Sequence, residues 1–275
     1  LFGEGGLRAA ELTLTGGKKA QPGRRQPTVE AGREVDKHSS KQKGESMKTY
    51  SREILFRLAE LDSPTVSNAV ERFRVRPRVE GYCGFDVRAV FPELGTTVGY
   101  AVTCTADSTT EDRPNPEGLF PLWEAIEKTP KPSVLVIKDI GTDRTRSCHL
   151  GEVMATTAKA LGAVACVSDG GLRDIEEIGR LGGFQLFCPG FVVSHGNPVI
   201  CEVGVEVEIS GLRIRPGDLL HGDRNGLLKI PDEIVDLVPD EAERVREEER
   251  RILDYVKSAD FTLQGLRDLQ SEFRH

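Results

Sequence analysis

The sequence has one tryptophan, two methionines and 6% aromatic residues over 275 positions, so its core must be built from small aliphatic side chains. Its six cysteines (83, 104, 148, 166, 188 and 201) include no C-x-x-C pair, which removes zinc-ribbon and thioredoxin-type readings. They are expected to be free thiols in a reducing, cytoplasmic setting. No apolar run approaches the ~20 residues of a membrane span, and no secretory signal pattern is present, so neither membrane insertion nor export is expected. Basic residues are in deficit, 37 against 44 acidic for a net charge of −7. That balance argues against general nucleic-acid binding, which needs an excess of phosphate-neutralising cations.

Residues 1–46 lack Trp, Tyr, Met and Cys and hold a single Phe among many Gly, Lys, Arg, Glu and Ser. With so little to bury, this stretch is expected to be a disordered leader outside the fold. Patterned sequence begins just after Met47, so one domain is expected over 47–275.

Within it, Ser51-Arg-Glu-Ile-Leu opens an amphipathic helix, and Ser63-Pro64 starts a second. Thr97–Thr105 reads as a strand, followed by a polar loop over 106–116 and a helix over 119–126. Ser133–Ile140 and Ala163–Val167 are near-continuous apolar strands, with Met154, Ala155, Ala158 and Leu161 striping the helix between them. Another strand is expected at Phe184–Phe187, then strand–turn–strand from Val203 to Ile230, with Gly222-Asp223-Arg224-Asn225-Gly226 as a hairpin turn. A helix from Asp240 to Lys257 and a weaker one at Leu263–Phe273 close the chain. Strands and helices alternate without a long parallel βαβ series, which predicts an α/β domain with a mixed sheet.

The chemistry concentrates in GEVMATTAKALGAVACVSDGGLRD, Gly151–Asp174. Twenty residues separate Glu152 from Arg173. A Gly-Glu turn opens a helix, a buried strand follows, and a Gly-Gly turn ends in Arg173-Asp174. The chain thus returns to where the segment began, bringing an acid, a helix N-terminus, a guanidinium and a second carboxylate to one sheet edge. Asp174-Ile-Glu-Glu177 is also a capping-box pattern, which gives Asp174 a purely structural alternative. Arg173 suits bidentate recognition of a carboxylate, or a salt bridge to Glu152 or Glu177. The first-turn N–H groups at Gly151, Glu152, Val153 and Met154 favour an anion. On the last long helix, Ala242, Val245, Ile252 and Val256 form an apolar stripe whose missing member is Glu249, a costly place for a carboxylate unless it is paired or used. His149 could line the same pocket. His195 stands in a Ser-His-Gly-Asn loop with no partner at a diagnostic spacing.

This segment, with Pro216-Gly217-Asp218, the 222–226 turn and Pro231, resembles the RraA-like family, which includes 4-hydroxy-4-methyl-2-oxoglutarate aldolases. The resemblance covers roughly 47–257. It implies a layered α/β/β/α, swivelling-domain-like fold assembled as a homotrimer or hexamer. It also implies lyase chemistry on 2-oxo acids that releases pyruvate, with oxaloacetate decarboxylation alongside. Carried over residue by residue, Asp174 would bind Mg²⁺ or Mn²⁺ with waters completing the shell. Arg173 would hold the keto-acid oxygens, the 151–154 turn would hold the carboxylate, and Glu152 would orient a proton-shuttling water. Glu249 of a neighbouring subunit would complete the site, with Glu247 and Glu248 as alternatives. The sequence departs from the pattern in having Glu152 where some aldolases have Asp, and in its unusual 106–116 loop. Other relatives are non-enzymatic regulators that bind ribonuclease or helicase complexes, and this is the competing reading. A methyltransferase reading finds no glycine-rich turn after an early strand.

Overall fold

The computed structural model describes residues 47–273. The leader expected to be disordered, 1–46, lies outside the described residues. Helix α1, Arg52–Ala59, starts where Ser51 accepts a hydrogen bond from the Ile54 N–H at 3.2 Å. Helix α2, Ser63–Arg72, is capped one residue earlier than the sequence suggested, by Asp62, which accepts from the Thr65 N–H at 2.9 Å.

Then follow β1 (Arg88–Ala89), β2 (Thr97–Asp107), α3 (Phe120–Lys128), β3 (Ser133–Asp139), α4 (Glu152–Ala160), β4 (Ala163–Ser168), α5 (Ile175–Leu181) and β5 (Gln185–Cys188). Strands β2, β3, β4 and β5 pair in parallel, in that order. This corrects the expectation that no long parallel series is present. Its strands were each expected, but their side-by-side parallel pairing is set by tertiary contacts and leaves no mark in local period. The rest is antiparallel: β6 (Val199–Val203), the β7–β8 hairpin (Val207–Ile209 and Leu212–Ile214), and β9 (Leu219–Asp223) with β10 (Gly226–Ile230). The expected turn at 222–226 joins β9 to β10, with Asp223 opposite Gly226.

The eleven-residue β2 explains the architecture. One edge pairs with β3 along most of its length. The other pairs first with β9 (Thr97–Tyr100) and then with β6 (Cys104–Asp107). The sheet runs β1-β5-β4-β3-β2-β9-β10, and Cys83, just before β1, donates to the Leu227 carbonyl on β10 at 2.8 Å. The sheet therefore rolls towards closure, as a barrel does. Its inner face carries Ala101, Val134, Val136, Ala165, Val167 and Phe187 against the β7–β8 hairpin. Its outer face is covered at one side by α3, α4 and α5 over Cys104, Leu135, Ile137 and Cys166. At the other side α1, α2 and α6 (Val238–Lys257) lie over Val98, Tyr100, Leu219 and Leu228. Helix α7 (Leu263–Glu272) follows and contacts α6. All six cysteines are free and five are buried. Among the described residues no helix is long and apolar enough to cross a membrane.

Candidate active site

Beyond the carboxyl ends of the parallel strands, three extended ribbons run side by side. The His149 N–H donates to the Gly171 carbonyl at 3.0 Å, and the Arg173 N–H to the Leu150 carbonyl at 3.0 Å. On the far side, Leu172 donates to the Gly190 carbonyl at 3.2 Å and receives the Val192 N–H at 3.0 Å. This ladder brings Arg173 and Asp174 back against Gly151, as the sequence predicted. Ligands of open α/β sheets gather at this edge.

Asp174 is the unusual residue. It stands at the N-cap of α5 yet has φ 57° and ψ 41°, and its side chain makes no bond to that helix. The capping-box expectation is therefore wrong. A left-handed backbone, costing about 1 kcal/mol for a residue with a Cβ, turns the carboxylate away from α5 and onto the start of α4. There Oδ2 accepts the Glu152 N–H at 3.0 Å and lies 3.5 Å from Arg173 Nε. Arg173 pairs with neither Glu152 nor Glu177, and the latter goes to Arg180 at 3.2 Å. Both Arg173 and Asp174 side chains keep 34% exposure, so each remains open to a ligand.

Gly151 makes this closeness possible. A Cβ there would stand 2.5 Å from Asp174 Oδ2 and 3.1 Å from Arg173 Nε. After Glu152, the N–H groups of Val153 and Met154 have no acceptor inside their own helix. Val153 is 79% exposed, so the turn faces outward. Glu152 is exposed on the same rim. Among the described residues no three His, Cys, Asp or Glu converge as a metal cage. The donor set does fit a hard cation that keeps its waters. Asp174 Oδ1 has no protein partner among the described residues, and one open carboxylate oxygen beside solvent suffices for a hydrated Mg²⁺ or Mn²⁺.

The sequence reading missed a second set of polar groups at this edge. Strands β2 and β3 end in Asp107 and Asp139, and Asp169 directly follows β4; all three carboxylates are buried. Asp139 Oδ2 lies 2.6 Å from His149 Nε2. Asp169 accepts the Asp139 N–H at 2.8 Å and pairs with Lys138 at 2.5 Å. Burial pushes the Asp139 carboxyl up, but hydrogen bonds from His149 and Ser147 prevail and hold it below its ordinary value. At Asp107 burial is likewise outweighed, here by Thr110, Thr109 and the Arg113 charge. Among the described residues Asp107 Oδ2 has no hydrogen-bond partner, although Arg113 stands 3.2 Å away. The signal was present in the sequence, since three apolar runs each end in Asp.

A cleft of about 710 Å³ opens beside the ribbons, lined by Thr109, Thr142, Arg146, Phe191, Val192 and Asn197 among others, and not by Gly151, Glu152, Arg173 or Asp174. His195 is exposed, and among the described residues its side chain bonds only its neighbour's carbonyl, Gly196, at 2.7 Å. Glu249 is also exposed, and it accepts from Asn68 Nδ2 at 3.2 Å. The apolar stripe of α6 is buried only at Ala242 and Val245, and by Val256 it is 41% exposed. Glu249 thus marks where α6 leaves the body rather than a carboxylate trapped on a buried face. Of the alternatives, Glu248 is held by Arg72 at 2.6 Å, and Glu247 is exposed.

Comparison with known proteins agrees with this architecture. The chain is 30% identical over 151 residues to an uncharacterised protein of Methanocaldococcus jannaschii, covering 54% of this chain and 70% of that one. It is 35% identical over 101 residues to a putative 4-hydroxy-4-methyl-2-oxoglutarate aldolase of Halalkalibacterium halodurans, covering 36% of this chain and 47% of the relative. The chain thus spans about half the length of that aldolase-named relative. Among solved structures, an uncharacterised Pseudomonas syringae protein aligns with TM-score 0.64 at 22% identity, over 84% of this chain and 99% of its own. Streptomyces coelicolor RraAS2, described as an unusual member of the RNase ES inhibitor RraA family, aligns with TM-score 0.59 at 22% identity, over 74% and 96%. The Aldolase/RraA family model matches residues 63–228, which hold the whole sheet except two residues of β10 and carry Gly151, Glu152, Arg173 and Asp174: the chain belongs to the RraA-like family.

Proposed function

We propose that the chain is a divalent-metal-dependent lyase that cleaves a carbon–carbon bond in 4-hydroxy-2-oxo (di)carboxylic acids to release pyruvate, with oxaloacetate decarboxylation as a companion activity. The family contains aldolases and decarboxylases as well as RraA regulators. The observation that carries the lyase reading is the conformation of Asp174. The left-handed backbone sets one carboxylate oxygen on the Glu152 N–H and leaves the other open beside Arg173, where a cation and an anionic substrate can meet.

In this reading Asp174 holds Mg²⁺ or Mn²⁺ through its open oxygen. When bound, the cation supplies charge stabilisation for the electrons released from the breaking bond. The Val153 and Met154 N–H groups bind the substrate carboxylate at the helix N-terminus. The Arg173 guanidinium donates to the 2-oxo oxygen, where negative charge develops as C3–C4 breaks. Gly151 leaves room for that oxygen near the backbone. Glu152 orients a water that accepts the 4-hydroxyl proton and returns a proton to C3 of the pyruvyl enolate, so the proton balance closes. Glu249 of a neighbouring copy completes the site in a homotrimer or hexamer, and the free thiols suit a cytoplasmic enzyme.

The test couples pyruvate release to lactate dehydrogenase, with oxaloacetate and 4-hydroxy-4-methyl-2-oxoglutarate as substrates. Activity is expected with Mg²⁺ or Mn²⁺, to disappear with EDTA, and to be absent in Asp174→Ala. Absence of pyruvate from both substrates under either metal sinks the lyase reading in favour of the regulator.

A further inference from the structure

We infer that Asp139 and His149 act as a positioning pair that fixes where Arg173 and Asp174 stand. The kinetic part of this inference rests on the lyase reading, while its structural part does not. His149 projects from the 147–150 ribbon, and its Nε2 meets Asp139 Oδ2 at 2.6 Å in the interior. Asp139 is itself immobilised at the end of β3. Its Oδ1 accepts the Gly141 N–H at 3.1 Å, and its own N–H donates to Asp169 Oδ1 at 2.8 Å. Gly170 closes the other side of the ring, since a Cβ there would lie 2.5 Å from His149 Cδ2. The imidazole is thus a pin between the sheet and the ribbon.

The ribbon carries the position onward. Through its backbone, His149 holds Gly171 at 3.0 Å, and the next residue, Leu150, accepts the Arg173 N–H at 3.0 Å. Gly151 follows at once, so both walls of the site, 151–152 and 173–174, hang from residues flanking His149. An apolar contact would hold ribbon to sheet without the desolvation cost of buried polar groups, but it would not fix register. A short directional bond does.

Hydrogen exchange and steady-state kinetics together test the inference in three variants. His149→Gln keeps a donor at the reach of Nε2. His149→Leu removes it. The Asp139→Leu/His149→Leu double variant avoids leaving a buried unpaired charge and so safeguards folding. Faster exchange is expected across 147–152 and 171–174 in both Leu variants. Their kcat is expected to fall about 10–100-fold, the scale typical of outer partners that orient a site, while His149→Gln stays within about threefold of wild type. Exchange in those two segments unchanged in a folded Leu variant overturns the inference. So does a wild-type kcat in that variant, or a Gln variant as impaired as Leu. Should the wild-type chain turn over no substrate, the lyase reading fails separately and the exchange comparison alone decides.

Discussion

Adding one methyl group at Gly151 should separate activity from stability. The backbone there is extended, with φ −131° and ψ −172°, so alanine meets no conformational barrier. At an N-cap it costs about 1 kcal/mol or less. Its Cβ, however, would lie 2.5 Å from Asp174 Oδ2 and must push the carboxylate away from the Glu152 N–H. Displacements on this scale cost about 100-fold in rate when they misplace a reacting partner. Gly151→Ala is therefore expected to lose about 100-fold in kcat/KM while its Tm falls by no more than about 2–4 °C. A variant with wild-type turnover would show that nothing reacts against this turn. Asp174→Asn makes the complementary case. Asparagine tolerates the left-handed region and keeps an oxygen for the Glu152 N–H, so folding should persist. Only the charge is lost, and with it metal-dependent turnover. Asn-level activity equal to wild type, measured at saturating Mg²⁺, would rule out Asp174 as the metal ligand.

At the scale of elements, His221 joins α1 and α2 to the sheet. It lies on β9, fully buried, with Nε2 3.0 Å from the Leu58 carbonyl and Nδ1 3.0 Å from Ser63 Oγ. With the ring neutral, Nε2 donates to the carbonyl and Nδ1 accepts from the hydroxyl. Burial pushes its pKa below the ordinary 6.5, opposed in part by the Leu58 carbonyl and the Asp223 charge. The sign follows from linkage. Below about pH 6.5 the unfolded chain takes up a proton that the folded chain refuses, so stability falls with acid, by up to about 1.4 kcal/mol per pH unit. Above that pH the group contributes no slope. Melting curves between pH 7 and 5 should show this decline, and His221→Gln should flatten it; an unchanged slope in the variant would assign the decline to other groups. Elements of this kind were largely legible beforehand. The long apolar runs 97–107, 133–139 and 163–168 and the striped helices follow from hydrophobic period alone. The four-residue β5 was expected at 184–187, but the two-residue β1 was not, and β7 and β8 were not resolved within the 203–230 stretch, because tertiary pairing and not local pattern defines them. At the site, the approach of Arg173-Asp174 to Gly151 followed from the strand between them. The side to which Asp174 turns its carboxylate did not, because a φ of 57° at a non-glycine residue leaves no mark in composition. The Asp139–His149 bond closes the connection between β3 and α4 and has no spacing signature.

For the whole molecule, the decisive question is whether one chain makes a complete site. Helix α6 packs on α1 and α2, over the part of the sheet formed by β2, β9 and β10, whereas Arg173 and Asp174 belong to the group of α4 and α5. Glu249 is exposed where α6 leaves the body, and among the described residues its side chain bonds Asn68. A carboxylate so placed can serve a site only on another copy, and a closed ring gives every copy the same neighbour. Complementation between two inactive variants tests this without a structure of the assembly. Asp174→Ala subunits retain Glu249, and Glu249→Gln subunits retain Asp174. If each site draws its two carboxylates from different chains, either variant alone is inactive, and equal mixing by co-expression rebuilds intact sites wherever a Glu249→Gln chain receives a neighbour carrying Asp174→Ala. Random assembly into a ring of three makes that roughly one site in four. The mixed preparation should therefore recover about a quarter of wild-type activity per site. If both carboxylates came from one chain, mixing would recover nothing, because no chain in the mixture carries both. If Glu249 had no part in the reaction, the Glu249→Gln protein would be active before mixing, so the three arrangements give three different numbers from one assay.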